Sequence, residues 1–282
     1  MFHLSFGWRT AAELCAAWAL LGLALALLPW RWARIGALAA RECAVMVGLY
    51  GVWMLVGAYT LHDERGAVRR GQDIWSAERA LHLPSEAWVQ RPVSGTPLLA
   101  HAADAYYIYG HFTVLTICLA WTWWYHRSAY ARLRRLIIVA TLLATAVQVV
   151  PVAPPRLLPG HLVVDLGTEY GETVYGPGGL GAASQLAAMP SIHVLWSTLV
   201  GLTVVVLWRS RWRWLGLVHP VTMSLVVVVT GNHYWADGAV SEVLLAVSAL
   251  AVLGVPRLLR GRSAPPSVVE PVAPATVPAS AG

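Results

Sequence analysis

The chain has 282 residues, of which 57% are hydrophobic and 12% charged, and its mean hydropathy is +0.59. That is more apolar surface than a soluble domain hides in one core, so the composition argues for helices in a lipid bilayer. All twenty basic residues are Arg and the net charge is +6. The absence of Lys excludes a retinal Schiff base, and Arg clustered in short groups between apolar runs argues for membrane orientation rather than nucleic-acid binding.

A span needs about 20 mostly apolar residues, and seven stretches qualify: 11–28, 43–61, 105–125, 136–152, 193–208, 214–230 and 238–255. The first is read as a membrane helix rather than a signal peptide, because its flank holds only Arg9 and no small-x-small site precedes Pro29. Between the second and third spans, residues 75–83 place apolar side chains on a helical period, which predicts a surface helix covering the outer end of the bundle. A loop from 154 to 189 carries Pro154, Pro155 and a Gly-rich run at 176–181, and it is longer than a connection requires. Cys15, Cys43 and Cys118 lie inside apolar runs without metal or disulfide spacing. Residues 263–282, rich in Pro and Ala, are expected to be a disordered cytoplasmic tail.

Thirteen of the twenty Arg residues fall in one set of loops and seven in the other. The positive-inside rule then puts the N-terminus outside and the C-terminus in the cytoplasm. The expected fold is all-α: a polytopic transmembrane helical bundle of about six to seven spans over residues 1–262, multi-pass in the cell membrane. Its catalytic core covers about 78–255, and its active site lies at the extracytoplasmic ends of the last four helices.

Two strings carry chemistry. The first is Pro190-Ser191-Ile192-His193 at the head of the fifth span. A Ser at a helix start leaves free backbone N–H groups beside a hydroxyl, an arrangement that suits an anion. The second is Thr230-Gly231-Asn232-His233-Tyr234-Trp235-Ala236-Asp237, between the sixth and seventh spans. His233 and Asp237 are four apart, so on a helical turn the carboxylate would hold one imidazole nitrogen protonated and leave the other free to attack. Taken singly, each string also reads as an ordinary interfacial helix end. A single helical hairpin joins them, however, which brings both to one membrane face together with Arg156 at the end of the fourth span. Ionisable groups gathered near lipid without a task are costly. His111 and Tyr107, near the outer part of the third span, are candidates to line a substrate cavity, with an interhelical hydrogen bond as the competing reading.

The Pro-Ser-Ile-His string, a hairpin and then His-x-x-x-Asp resemble the type 2 phosphatidic acid phosphatase superfamily, and within it the branch similar to inositol phosphorylceramide synthases, the Aur-like inositolphosphotransferases. The resemblance implies an integral membrane enzyme, a metal-independent phosphoric ester hydrolase or phosphotransferase without cofactor. It would act on lipid-linked phosphate esters through a phosphohistidine. By that resemblance His233 is the nucleophile, Asp237 its orienter, His193 the acid that protonates the leaving oxygen, and Ser191 a phosphate ligand beside Arg156. The superfamily's usual first-motif Lys falls at Val149 and its usual Ser-Arg pair at Val226 and Val227, while Ile192 resembles the synthase branch. Thr230 and Asn232 are candidates for the missing phosphate donors. The implied partners are the bilayer, a lipid-phosphate or phospholipid donor, and a polar alcohol such as inositol as acceptor. Hydrolysis and transfer both stay open, and a transporter or channel with a polar rim site is the competing class.

Overall fold

In a bilayer every backbone N–H and C=O must be paired within its own segment, and the apolar runs accordingly fold as helices. A computed structural model describes residues 7–60, 63–160, 163–171 and 185–254. The Gly-rich run at 176–181 and the tail 263–282 lie outside the described residues.

Helices α1 (Trp8–Ala26) and α2 (Arg31–Thr60) form an antiparallel hairpin. Small residues let the two backbones approach: Gly22 lies against Ala37 and Ala40, Gly48 against Cys15, and Gly51 against Ala11. Two outer helices follow, α3 (Glu64–Ala80) and α4 (Glu86–Ser94). Asp63 caps α3 by accepting from Gly66 N at 3.1 Å, and its bond to Arg70 holds the carboxyl below its ordinary range.

Helix α5 (Pro97–Ala105) runs through a π turn at Tyr106–Gly110 into α6 (His111–Tyr125). The third span predicted at 105–125 is thus the distal part of a longer helix. A π turn re-aims the side chains that follow it, here Tyr106, Tyr107 and His111. Helix α7 (Arg127–Val147) starts earlier than the predicted 136 and stops short of 152. Its early start is held by Glu42 of α2, which accepts from Tyr130 Oη at 2.9 Å and pairs with Arg134. It ends before Pro151, Pro154 and Pro155, which lack the N–H a helix needs.

The loop after α7 holds a 3₁₀ turn, Pro155–Leu157, and a short α8 (Leu166–Glu169). It is pinned by a parallel bridge between Val152 and Ala187. Helix α9 (Ile192–Leu207), a 3₁₀ segment Arg211–Leu217 leading into α10 (Val218–Val229), and α11 (Trp235–Ala249) with a π turn at Leu250–Gly254 complete the bundle.

Among the described residues, Trp8–Ala26, Arg31–Tyr59, Arg211–Val229 and Trp235–Gly254 are long and apolar enough to cross a membrane, and Ile192–Leu207 is a shorter apolar helix. The two other predicted spans fall on α6 and α7. Leu20, Leu23, Val206, Val221, Val243 and Leu250 are large, apolar and exposed. Such an outward apolar face is stable only against lipid. Inside, Leu115, Leu133, Ile137, Leu199, Val200 and Leu245 pack α6, α7, α9 and α11 together.

At the end of the bundle where α9 and α11 begin, α3 lies across it. A Cβ on Gly71 would stand only 2.7 Å from both Ala153 O and Tyr234 Oη, so glycine is required for α3 to sit this close. Tyr234 Oη in turn donates to Ala153 O at 2.8 Å.

Candidate active site

Ser191 caps α9, its Oγ accepting from Val194 N at 3.4 Å. A Ser N-cap stabilises a helix by about 1 kcal/mol. Ser241 of α11 donates to Ser191 O at 2.8 Å and lies 2.7 Å from Asp237 O. One hydroxyl therefore staples the starts of α9 and α11 together. That staple brings the two sequence strings into contact.

After α10 the chain reverses at Gly231, whose φ of +73° is left-handed, a conformation that favours glycine. His233 follows with its backbone N–H on Val227 O at 3.1 Å. Its Nδ1 lies 2.7 Å from Ala188 O and 3.1 Å from Asp237 Oδ2. A carbonyl oxygen only accepts, so the proton sits on Nδ1 and the lone pair on Nε2. The His233–Asp237 contact is not the helical turn that the spacing predicts. Helix α11 begins at Trp235, with Asp237 in its first turn. The same carboxylate oxygen that meets His233 also caps Tyr234 N at 2.9 Å, and the Ala188 carbonyl is a second, nearer orienter.

Opposite this pair stands the cation. Arg156, its side chain almost wholly buried, donates from Nε to Asn232 Oδ1 at 2.9 Å and from Nη1 to Asp165 Oδ2 at 3.1 Å. Asn232 Nδ2 donates to Thr230 Oγ1 at 2.9 Å, and that hydroxyl donates to Val226 O at 2.9 Å. Thr230 is thereby turned to its own helix and to Asn232, and Asn232 to Arg156.

His193, Arg156, Asn232, His233, Tyr107 and His111 all line one pocket. The His193 and His233 ring centroids are 6.2 Å apart, so both imidazoles reach the same part of that pocket. Tyr107 stacks on His193 at 4.2 Å, and His111 lies 4.8 Å from it on another side. Ser191 and Asp237 are fully buried behind this wall. Among the described residues no group of three or more His, Cys, Asp or Glu is arranged to hold a metal ion.

Sequence reasoning missed several residues here. Gln148 receives Trp53 Nε1 at 2.8 Å and donates to Pro190 O at 3.1 Å, tying α2 to the chain that enters α9. No motif marks a lone Gln at a helix end. Ser241 and the Ala188 carbonyl act through the backbone, which composition does not reveal. Asp165 is the ion-pair partner of Arg156.

Residues 72–251 match the family model of the PAP2 superfamily. No curated protein and no solved structure matches the chain. The matched region includes every site residue above except the α2 wall of the pocket, formed by Leu49, Tyr50 and Trp53.

Proposed function

The chain belongs to the PAP2 superfamily, and from that premise we propose that it transfers phosphoryl or phosphodiester groups from lipid-linked phosphate esters through a phosphohistidine at His233, without a metal ion. The observation that carries this reading is the His233 imidazole, held Nδ1-protonated by Ala188 O and Asp237 with His193 facing it across the same pocket. Phosphoryl transfer asks the protein mainly for positioning and charge stabilisation.

In the first step His233 Nε2 forms a bond to phosphorus while the bond to the leaving oxygen breaks, and protonated His193 gives that oxygen its proton. Arg156, on the pocket wall, balances charge on the non-bridging oxygens. In the second step the oxygen of water or of an alcohol attacks phosphorus, the N–P bond breaks, and the proton returns to His193. Among acceptors, a polyol such as inositol is favoured by the synthase-like Pro-Ser-Ile-His string. The family match favours this class over a transporter.

The test is turnover by the purified protein in lipid nanodiscs, with chelator present, on long-chain lipid phosphates, pyrophosphates and phosphoinositides, each with and without inositol. Release of phosphate or formation of an inositol phosphodiester is expected. Complete inactivity with chelator, restored by a divalent metal, would sink the metal-free mechanism.

We place the site on the extracytoplasmic face of the cell membrane, on the Arg distribution. With Cys15, Cys43 and Cys118 replaced by Ala, Thr168→Cys should react with an impermeant thiol reagent added to intact cells. Ser210→Cys should react only after lysis. The opposite labelling pattern would turn the site towards the cytoplasm.

A further inference from the structure

Glu78 and Glu86 lie far from the two motifs in sequence, yet both are nearly or fully buried at the outer end of the bundle. The chain reverses between α3 and α4 at His82, whose φ of +57° is left-handed, and Leu83 N closes the turn on Glu78 O at 3.0 Å. The reversal brings Glu86 to the side of Glu78, so that both carboxyls approach the same Arg79 nitrogen. Glu78 Oε1 accepts from Ala236 N at 2.7 Å, one of the backbone donors in the first turn of α11 that has no partner within the helix. Asp237, the next residue, orients His233.

The charges around the pair do not balance with both carboxyls ionised. Among the described residues Arg79 is the one cation facing it, with Nη2 at 3.3 Å from Glu86 Oε2 and 3.6 Å from Glu78 Oε2. The other ionisable groups turned towards it are Tyr234, ahead of α11, and Asp237, on α11 itself. Among the described residues, Glu78 Oε2 and both oxygens of Glu86 receive no hydrogen bond. A buried polar atom left without a partner costs about 1–3 kcal/mol, more when charged. One proton between the two carboxyls removes the excess charge and pairs two of those three oxygens, one as donor and one as acceptor.

We propose that Glu78 and Glu86 share one proton and act as a positioning pair, holding the first turn of α11, and through it Asp237 and His233, in the geometry that phosphoryl transfer needs. Neither residue touches the reacting atoms. Burial, and then the nearness of the Glu78 carboxyl, push the Glu86 carboxyl up to about 8. A raised carboxyl favours the folded state most at low pH, and that contribution is lost as pH rises from the ordinary carboxylate range through about 8. Beyond it, two carboxylates face one guanidinium beside Asp237, and the hold on Ala236 loosens.

Only the turnover arm of the test rests on the proposed function. Infrared difference spectra of the full chain in nanodiscs should show a protonated-carboxyl band that disappears near pH 8 and is missing in Glu86→Gln. The melting temperature should fall across the same range in the wild type. It should stay flat in Glu86→Gln, whose amide donates to Glu78 at every pH. Glu78→Ala should lower kcat roughly 10- to 100-fold with KM changed little, the effect of a small displacement of catalytic groups. Glu78→Gln, which keeps an acceptor for Ala236 N–H, should recover most of that loss and also serves if the Ala variant fails to fold. Absence of a titrating band, or wild-type kcat in Glu78→Ala, overturns the pair. A titrating band in a protein that turns over no phosphate ester supports the shared proton and counts against the phosphoryl-transfer reading instead.

Discussion

His233→Ala is expected to abolish turnover, by roughly 10³-fold or more, and to leave no phosphoryl group on the protein after acid-free quenching with a labelled donor. The expectation follows from the hydrogen bonds on Nδ1. With that nitrogen donating to Ala188 O at 2.7 Å and near Asp237 Oδ2 at 3.1 Å, Nε2 is a lone-pair nitrogen on the pocket wall. Among the described residues His193 has no carboxylate partner; its ring neighbours are Tyr107, His111 and His233. On the proposed mechanism it is the proton donor. His193→Ala should therefore slow transfer strongly from a lipid phosphate, whose alkoxide leaves poorly, and much less from an activated aryl phosphate. His233→Ala should be inactive with both donors. Label retained in His233→Ala, or mapped to His193 in the wild type, would reverse the two roles.

How far the sequence carried this depends on what each feature rests on. The helices were legible because apolar runs long enough to span have few alternatives in lipid. The single hairpin between the two motifs is enough to bring His193 and His233 to one membrane face, and the fold sets both on one pocket. The contact between His233 and Asp237 was expected, but for a different reason. A spacing of four suggests a helical turn, whereas Asp237 reaches back as a cap on Tyr234 N. Helix ends are set by local capping, which periodicity does not resolve. Glu78 and Glu86 stayed illegible because charges on an outer segment are ordinarily solvated. Only the left-handed turn at His82 and the fit of α3 over Tyr234 bury them. Gln148 and Ser241 were invisible for a related reason, since each acts on a backbone carbonyl brought close by the tertiary fold.

Arg156→Ala is expected to lower kcat/KM by roughly 10²–10³-fold, the range for loss of a donor that stabilises developing negative charge. Arg156 is held from two sides, by Asn232 Oδ1 at 2.9 Å and Asp165 Oδ2 at 3.1 Å, and both it and Asn232 line the pocket with His193 and His233. Arg156→Lys should recover little. A Lys ammonium keeps the charge but not the planar fork that grips Asn232 and a phosphate oxygen together. A purely structural role for Arg156 predicts a different pattern, and Asp165 separates the two. Its carboxylate competes with a substrate phosphate for the same guanidinium, so Asp165→Asn should lower KM while leaving the Asn232 bond in place. If Arg156 only anchors the outer loop, Asp165→Asn should instead reduce stability and leave KM unchanged. Steady-state kinetics and melting curves of the three variants, measured side by side, distinguish the outcomes. Wild-type kcat/KM in Arg156→Ala would place the phosphate elsewhere in the pocket.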